Sequence, residues 1–447
     1  MNRNRRESRL TQWALIWIAL SILIAAGIAW LMFSLVSKPA PTQEPVPTFT
    51  PVDQPIEVGV TPTVPETGPM PTESPTVEAT LESMPTLEPT ATEEPKPETF
   101  GYGIQVHGAV GDPAYAASLV RRLGLGWVKQ QIRWGDLEIE PGNINWAMID
   151  GIINASNEQG VNVLVSVVTA PAWSRSGIED PHGPPDDLNL FAAFLAKLIE
   201  RYPGKIDAIE VWNEQNLRAE WHSSQGINAE RYLDMLRLSY QTIKALDPSI
   251  MVISGALSPG GGFVAENGDV IAVDDFVYFQ RMIELDFLNY SDCVGAHHNG
   301  YNIGPDVLAE EAPNTSQAAT AQFRGPFDNV HHSWSFKTTL WGYHDMMQGQ
   351  LPLCVTEFGW ASSEGLGVVP THYEFTGDNT EQEQATWITE AYGLLREWGI
   401  ARLAVLWNLD YGPKGFGPED NNVHYSILKL DGSPRPAFDA LESMPKP

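Results

Sequence analysis

From Phe100 onward the chain repeats one pattern eight times. A short apolar, β-prone run is followed by a stretch of helical character. The runs occupy residues 102–107, 127–132, 163–168, 208–212, 251–254, 293–297, 353–357 and 403–407. Between them, residues 190–202, 229–246 and 385–398 place apolar side chains at i, i+3 and i+4. Thr380 and Glu383 form a capping-box pair ahead of the last of these. Strands alternating with helices signal βα units and a parallel sheet. Eight such units in about 350 residues predict a closed (β/α)8 TIM barrel with some long loops. A doubly wound open sheet usually carries a Gly-rich phosphate loop after its first strand. None follows the first run here.

Two other regions precede the barrel. Residues 1–37 open with Arg3, Arg5, Arg6 and Arg9, then run uncharged from Thr11 to Ser37. A membrane-crossing helix needs about 20 apolar residues, and this run supplies them. The arginines on its N-terminal side place Met1 in the cytoplasm and the rest of the chain outside. The rival is a cleaved signal peptide, whose apolar part is usually only about 7–15 residues and ends at an A-x-A-like site. The longer run with no clear site favours an uncleaved signal-anchor, and so a single-pass protein of the cell membrane. Residues 38–99 are dominated by Pro, Thr and Glu. They lack the apolar residues that would offset ordering entropy, so a disordered, extended stalk is expected. Residues 100–447 hold the barrel.

The net charge of −29, from 56 acidic and 27 basic residues, sets this chain against nucleic acid and anionic surfaces. The two cysteines, Cys293 and Cys354, each sit in an apolar run. They read as two buried thiols and do not make a disulfide framework.

In a TIM barrel the chemistry collects at the C-terminal ends of the strands. The fourth strand ends in Trp212-Asn213-Glu214 and the seventh in Thr356-Glu357-Phe358. Only a closed barrel brings these carboxylates together. Glycoside hydrolysis needs such a pair, one to protonate the leaving oxygen and one to face the anomeric carbon. Two neighbouring carboxylates also resist ionising together, which separates their roles. Glu210 shares the strand parity of Glu214 and reads as a polar group pointing into the barrel. The pairs His297-His298 and His331-His332 lack the three convergent ligands that a metal normally needs.

Asn213-Glu214 after one apolar strand and Glu357-Phe358-Gly359-Trp360 after another resemble the clan A glycoside hydrolases, with families 5 and 39 nearest. The stretch Trp127-Val128-Lys129, Trp134, Pro141-Gly142 and Asn145-Trp146 is similar to the second strand and loop of those proteins. The resemblance covers about residues 100–441. It implies Glu214 as acid/base, Glu357 as nucleophile, Asn213 on the sugar 2-hydroxyl, Trp407 as a subsite floor and His297 nearby. Two positions depart from the pattern. Lys129 stands where many relatives carry an arginine, keeping the charge and losing the planar fork. Asn299 stands where many carry a tyrosine, and Tyr301 follows two residues later.

Trp173 and Trp360 lie at or beyond strand ends, where aromatic faces stack on sugar rings or pack loops. The expected substrate is an oligo- or polysaccharide, and no cofactor is implied, because two carboxylates and water suffice. Protein partners stay open, because a single chain carries no interface evidence. The competing readings are a surface carbohydrate-binding barrel without turnover and a membrane-tethered scaffold. The first would lack one carboxylate and the second would have a featureless rim.

Overall fold

The structure, a computed structural model, describes residues 100–177 and 180–446. The expected membrane helix in 1–37 and the stalk in 38–99 lie outside the described residues. Among the described residues no helix is long and apolar enough to cross a membrane.

Eight strands form the barrel wall: β1 Gly101–Gln105, β2 Trp127–Arg133, β3 Asn162–Val168, β4 Ala208–Val211, β5 Met251–Ser254, β6 Val294–Gly300, β7 Leu353–Trp360 and β8 Ala401–Leu406. A helix follows each in turn: α1 Pro113–Arg122, α2 Ala147–Glu158, α3 Leu188–Arg201, α4 Ala229–Leu246, α5 Asp275–Glu284, α6 Phe336–Met346, α7 Glu381–Trp398 and α8 Pro436–Ser443. Every apolar run seen in the sequence falls on one of these strands, with its ends moved by a few residues. Helix α7 starts earlier than its periodicity, at Glu381, because Thr380 caps it. The Thr380 hydroxyl accepts from the Glu383 N–H and the Glu383 carboxylate accepts from the Thr380 N–H.

The strands pair in parallel in the order β5-β4-β3-β2-β1-β8-β7-β6. The two ends of that row then meet. Ile253 of β5 bridges Cys293 in parallel, and the Ser254 N–H donates to the Cys293 carbonyl at 3.2 Å. A Cβ on Gly295 would sit 2.0 Å from the Ser254 carbonyl oxygen, so only glycine lets this seam close. The sheet is a barrel and not an open doubly wound sheet.

Two apolar layers hold it. The larger lies between strands and helices. The smaller fills the lumen near the strand starts with Leu164, Ala208, Met251, Ile253, Cys293, Cys354, Leu403 and Val405. Here the structure corrects the expectation of two free thiols. Cys293 and Cys354 are joined by a disulfide. Register explains it. Strands β6 and β7 are neighbours, with Val294 opposite Leu353 and Gly295 opposite Cys354. The two Cα atoms are therefore 5.8 Å apart, well within a disulfide's reach. Sequence carries no register between residues this distant.

Two results should follow. Denatured, unreduced protein should take up no thiol label. Reduction should then lower the barrel's unfolding free energy by about 2–4 kcal/mol, measured in denaturant with and without reductant.

Candidate active site

Two backbone irregularities deliver the carboxylates. The first ends β4. Simple alternation would put residues 210, 212 and 214 on one face. Instead the strand stops at Val211, and both Trp212 (φ 78°) and Glu214 (φ 45°) take positive φ. Such values are costly for side-chain-bearing residues and persist only where the surroundings enforce them. The enforcing contacts are present. The Glu214 N–H donates to the Ala256 carbonyl at 2.8 Å. The Gln215 amide donates to the Gly255 carbonyl at 2.8 Å. The Trp212 ring turns outward against Phe191 and Trp221. The turn thus leaves Glu210 in the lumen and lifts Glu214 to the rim.

The second irregularity is a bulge in β7. Strand β8 pairs Ala404 with Val355 but Leu406 with Phe358. Strand β6 pairs Ala296 with Val355 but His297 with Glu357. Strand β7 therefore carries one extra residue against both neighbours. Ordinary alternation would send Thr356 and Glu357 to opposite faces. With the bulge, both reach the same charged cluster. The Thr356 hydroxyl donates to Glu210 Oε1 at 2.6 Å, and Lys129 Nζ donates to Glu357 Oε1 at 3.1 Å.

The two rim carboxylates meet across a histidine. His297 Nδ1 lies 3.1 Å from Glu214 Oε1 and 3.9 Å from Glu357 Oε2. Those two legs put an upper limit of about 7 Å on the separation of these oxygens, short enough for both to reach one glycosidic bond. Lys129 is fully buried, with Glu210 Oε2 at 3.0 Å and Glu357 Oε1 at 3.1 Å. Burial opposes its charge, but the two carboxylates outweigh that and raise its pKa. His297 follows the same logic. Burial lowers its pKa, while Glu357 and the bond to Glu214 bring it above the ordinary value.

The other expected residues divide. Asn213 directly precedes Glu214, and its buried Oδ1 has no hydrogen-bond partner. Trp407 directly follows β8, 8 % exposed, with its ring 5.1 Å from Tyr411. Tyr301 stands edge-on to Trp334 at 4.6 Å. Burial, with Tyr373 and the Glu214 charge adding, pushes its hydroxyl up to about 12. Lys129 and His297 are polar neighbours of Glu357. Trp173 is half-buried and donates its N–H to the Glu138 carbonyl at 2.8 Å, pinning one rim loop to another. Trp360 requires correction as a sugar platform. It is 1 % exposed, donates to the Ile303 carbonyl at 2.9 Å and packs between Phe336 and Trp387. It stabilises the strand that carries Glu357.

Sequence reasoning missed Glu220. Its carbonyl accepts from the Trp212 ring N–H at 3.2 Å. Burial, reinforced by the Glu214 and Glu357 charges and opposed by Arg133, pushes its carboxyl up to about 8. It lies in a loop with no periodicity or motif, so nothing in the sequence singled it out. Tyr411 and Phe416, stacked at 5.3 Å beside Trp407, were missed for the same reason.

No family model matches the sequence, and no curated protein matches it. Solved structures do. A family 39 glycoside hydrolase from Bacteroides cellulosilyticus WH2 is 18% identical with a TM-score of 0.53, over 78% of this chain and 63% of its own. A monomeric β-xylosidase from Caulobacter crescentus CB15 is 18% identical with a TM-score of 0.51, over 77% and 67%. Xylanase 10B from Thermotoga petrophila RKU-1, solved with xylobiose, is 13% identical with a TM-score of 0.50, over 77% and 94%. The chain spans less than two thirds of the length of the first of these. What it shares with them is the (β/α)8 barrel fold.

Two variants probe this electrostatic arrangement. Lys129→Ala strands two buried carboxylates and should cost about 3–5 kcal/mol in denaturant unfolding. Glu220→Gln should act only at higher pH. Below the ordinary value of 4.5 both folded and unfolded carboxyls are protonated. Between 4.5 and about 8 the folded state keeps a proton that the unfolded state has shed, so stability falls as pH rises. The glutamine variant should therefore match the parent Tm at pH 4 and exceed it near pH 8, in buffers chosen to lie outside and at the top of that window.

Proposed function

We propose that this protein is a retaining glycoside hydrolase of clan A type that cleaves β-linked oligo- or polysaccharides. The observation that carries the proposal is the pairing of Glu214 and Glu357 across His297 at the strand ends of a closed barrel. Glu357 attacks the anomeric carbon, and the glycosidic C–O bond breaks as Glu214 protonates the departing oxygen. Glu214, now ionised, takes a proton from water. That water attacks the glycosyl–Glu357 ester, and the released carboxylate resets the site. Lys129 holds Glu357 in position for attack. His297 fixes Glu214 on the leaving-group side. The unpartnered Asn213 oxygen is suited to a sugar hydroxyl, since a buried acceptor gains most from a donor that arrives with the ligand. Trp407, Tyr411 and Phe416 form a connected aromatic surface on which a sugar ring would stack.

The sugar chemistry of the neighbouring folds, a β-xylosidase and a xylanase, makes β-linked xylosides the first substrates to try. The setting we propose is extracytoplasmic. The uncharged run 11–37 would anchor the chain in the cell membrane, and the segment 38–99 would hold the barrel off it. The Cys293–Cys354 disulfide supports that placement, because such bonds persist in oxidising compartments.

The test is hydrolysis of a panel of aryl β-glycosides and β-linked polysaccharides. Glu214→Ala and Glu357→Ala should each lose at least roughly 100-fold in kcat, the lower range for removing an acid–base group. Azide should rescue the two variants to products of opposite anomeric configuration. Turnover that survives Glu357→Ala would remove the nucleophile assignment. Sugar binding without turnover in all three proteins would support the binding-barrel reading instead.

A further inference from the structure

Three carboxylates enter the charged cluster, and the proposed reaction uses only two. The third, Glu210, is fully buried on β4. Its Oε1 accepts from the Thr356 hydroxyl at 2.6 Å and from the Ala256 N–H at 3.4 Å. Its Oε2 lies 3.0 Å from Lys129 Nζ. His297 Nε2 stands 3.8 Å from Oε1, so the imidazole lies between Glu210 on one side and the rim carboxylates on the other. Glu210 therefore reaches Glu357 through Lys129 and Glu214 through His297, and touches neither directly.

We propose that Glu210 is a positioning residue, a buried carboxylate that sets the placement of both reacting carboxylates through Lys129 and His297. The assignment of the reacting pair rests on the glycosidase reading above; the coupling of Glu210 to His297 does not. An inert structural ion pair would need one cation and one anion. Here a single lysine is shared between two carboxylates, and a second base is wedged among three. The irregularities of β4 and β7 serve this same contact. The turn after Val211 keeps Glu210 in the lumen, and the bulge brings Thr356 to hold it while Glu357 reaches the shared lysine.

The direction of the effect follows from charge. The groups around Glu210 are Lys129 of β2, His297 of β6, Thr356 and Glu357 of β7, and Glu214 beyond the imidazole. Tyr232 of α4 adds a neutral phenol whose hydroxyl donates to the Val211 carbonyl at 3.0 Å. Removing the Glu210 charge leaves the whole Lys129 charge to Glu357 and takes one anion from beside His297. His297 then gives up its proton more readily. The His297 titration should move toward acid.

The experiment compares the full chain, in detergent micelles, with Glu210→Gln and Glu210→Asp. Histidine ring titrations are followed by NMR, with the His297 signal assigned by its loss in His297→Asn. The pH dependence of kcat/KM on an aryl β-xyloside is recorded beside them. In Glu210→Gln the His297 midpoint should fall by about one pH unit, the scale of losing one nearby opposite charge. Any limb of the rate profile that follows His297 should shift the same way. Glu210→Asp, which keeps the charge, should restore the midpoint even where kcat stays low. An unmoved His297 midpoint in a folded Glu210→Gln variant overturns the proposal, whether or not the protein turns over substrate. Absence of turnover by the parent counts against the glycosidase reading alone. Should Glu210→Gln fail to fold, Thr356→Val loosens the same carboxylate without removing its charge. A reduced kcat at unchanged KM is then expected, and parent-like kcat overturns the proposal.

Discussion

The structure depends on one buried cation shared by two anions. Lys129 sits in the barrel lumen without solvent, between Glu210 and Glu357. Transferring an ammonium and carboxylates out of water costs several kcal/mol per ion, and it is offset only where geometry and extra hydrogen bonds are good. Both conditions hold here. Thr356 and Ala256 donate to Glu210, and His297 closes the cluster toward the rim. The outcome is a Glu357 side chain fixed in place against Lys129 before any ligand arrives. Such preorganised charge is the largest single resource an active site has.

The scaffold supplies the rigidity that this arrangement requires. The lower lumen is filled by apolar side chains and tied by the Cys293–Cys354 disulfide, one layer beneath the charges. Behind β4 and β7, Trp212, Trp221 and Trp360 are packed into the helix layer. Their burial counters the backbone strain at Trp212 and Glu214. Rings that might have lined the cleft instead hold the strands that carry the carboxylates.

The sequence made the architecture legible because strand and helix periods are local signals. Eight apolar runs and three amphipathic stretches were enough to define the barrel, and α4 matches its expected span, Ala229–Leu246. Glu214 and Glu357 could be named because a barrel concentrates polar residues at strand ends. What escaped detection depends on register. The pairing of β6 with β7 decides the disulfide, and the β7 bulge decides which way Glu357 points. Parity counting also failed at Trp212, where alternation would keep the ring in the lumen and the turn ejects it. Trp360 looked like a rim aromatic by position, yet its environment is set by α6 and α7, far away in the chain. Glu220 had no local signature, since its raised carboxyl results from neighbours that meet only in the folded barrel.

The most direct test of the account is the stereochemistry of the first product. Proton NMR of an aryl β-glycoside during early hydrolysis distinguishes the anomers before mutarotation mixes them. A nucleophilic Glu357 close to its acid/base partner requires two displacements, so the β-anomer should appear first. First appearance of the α-anomer would mean a single displacement by water, and Glu357 would then be a base and not a nucleophile.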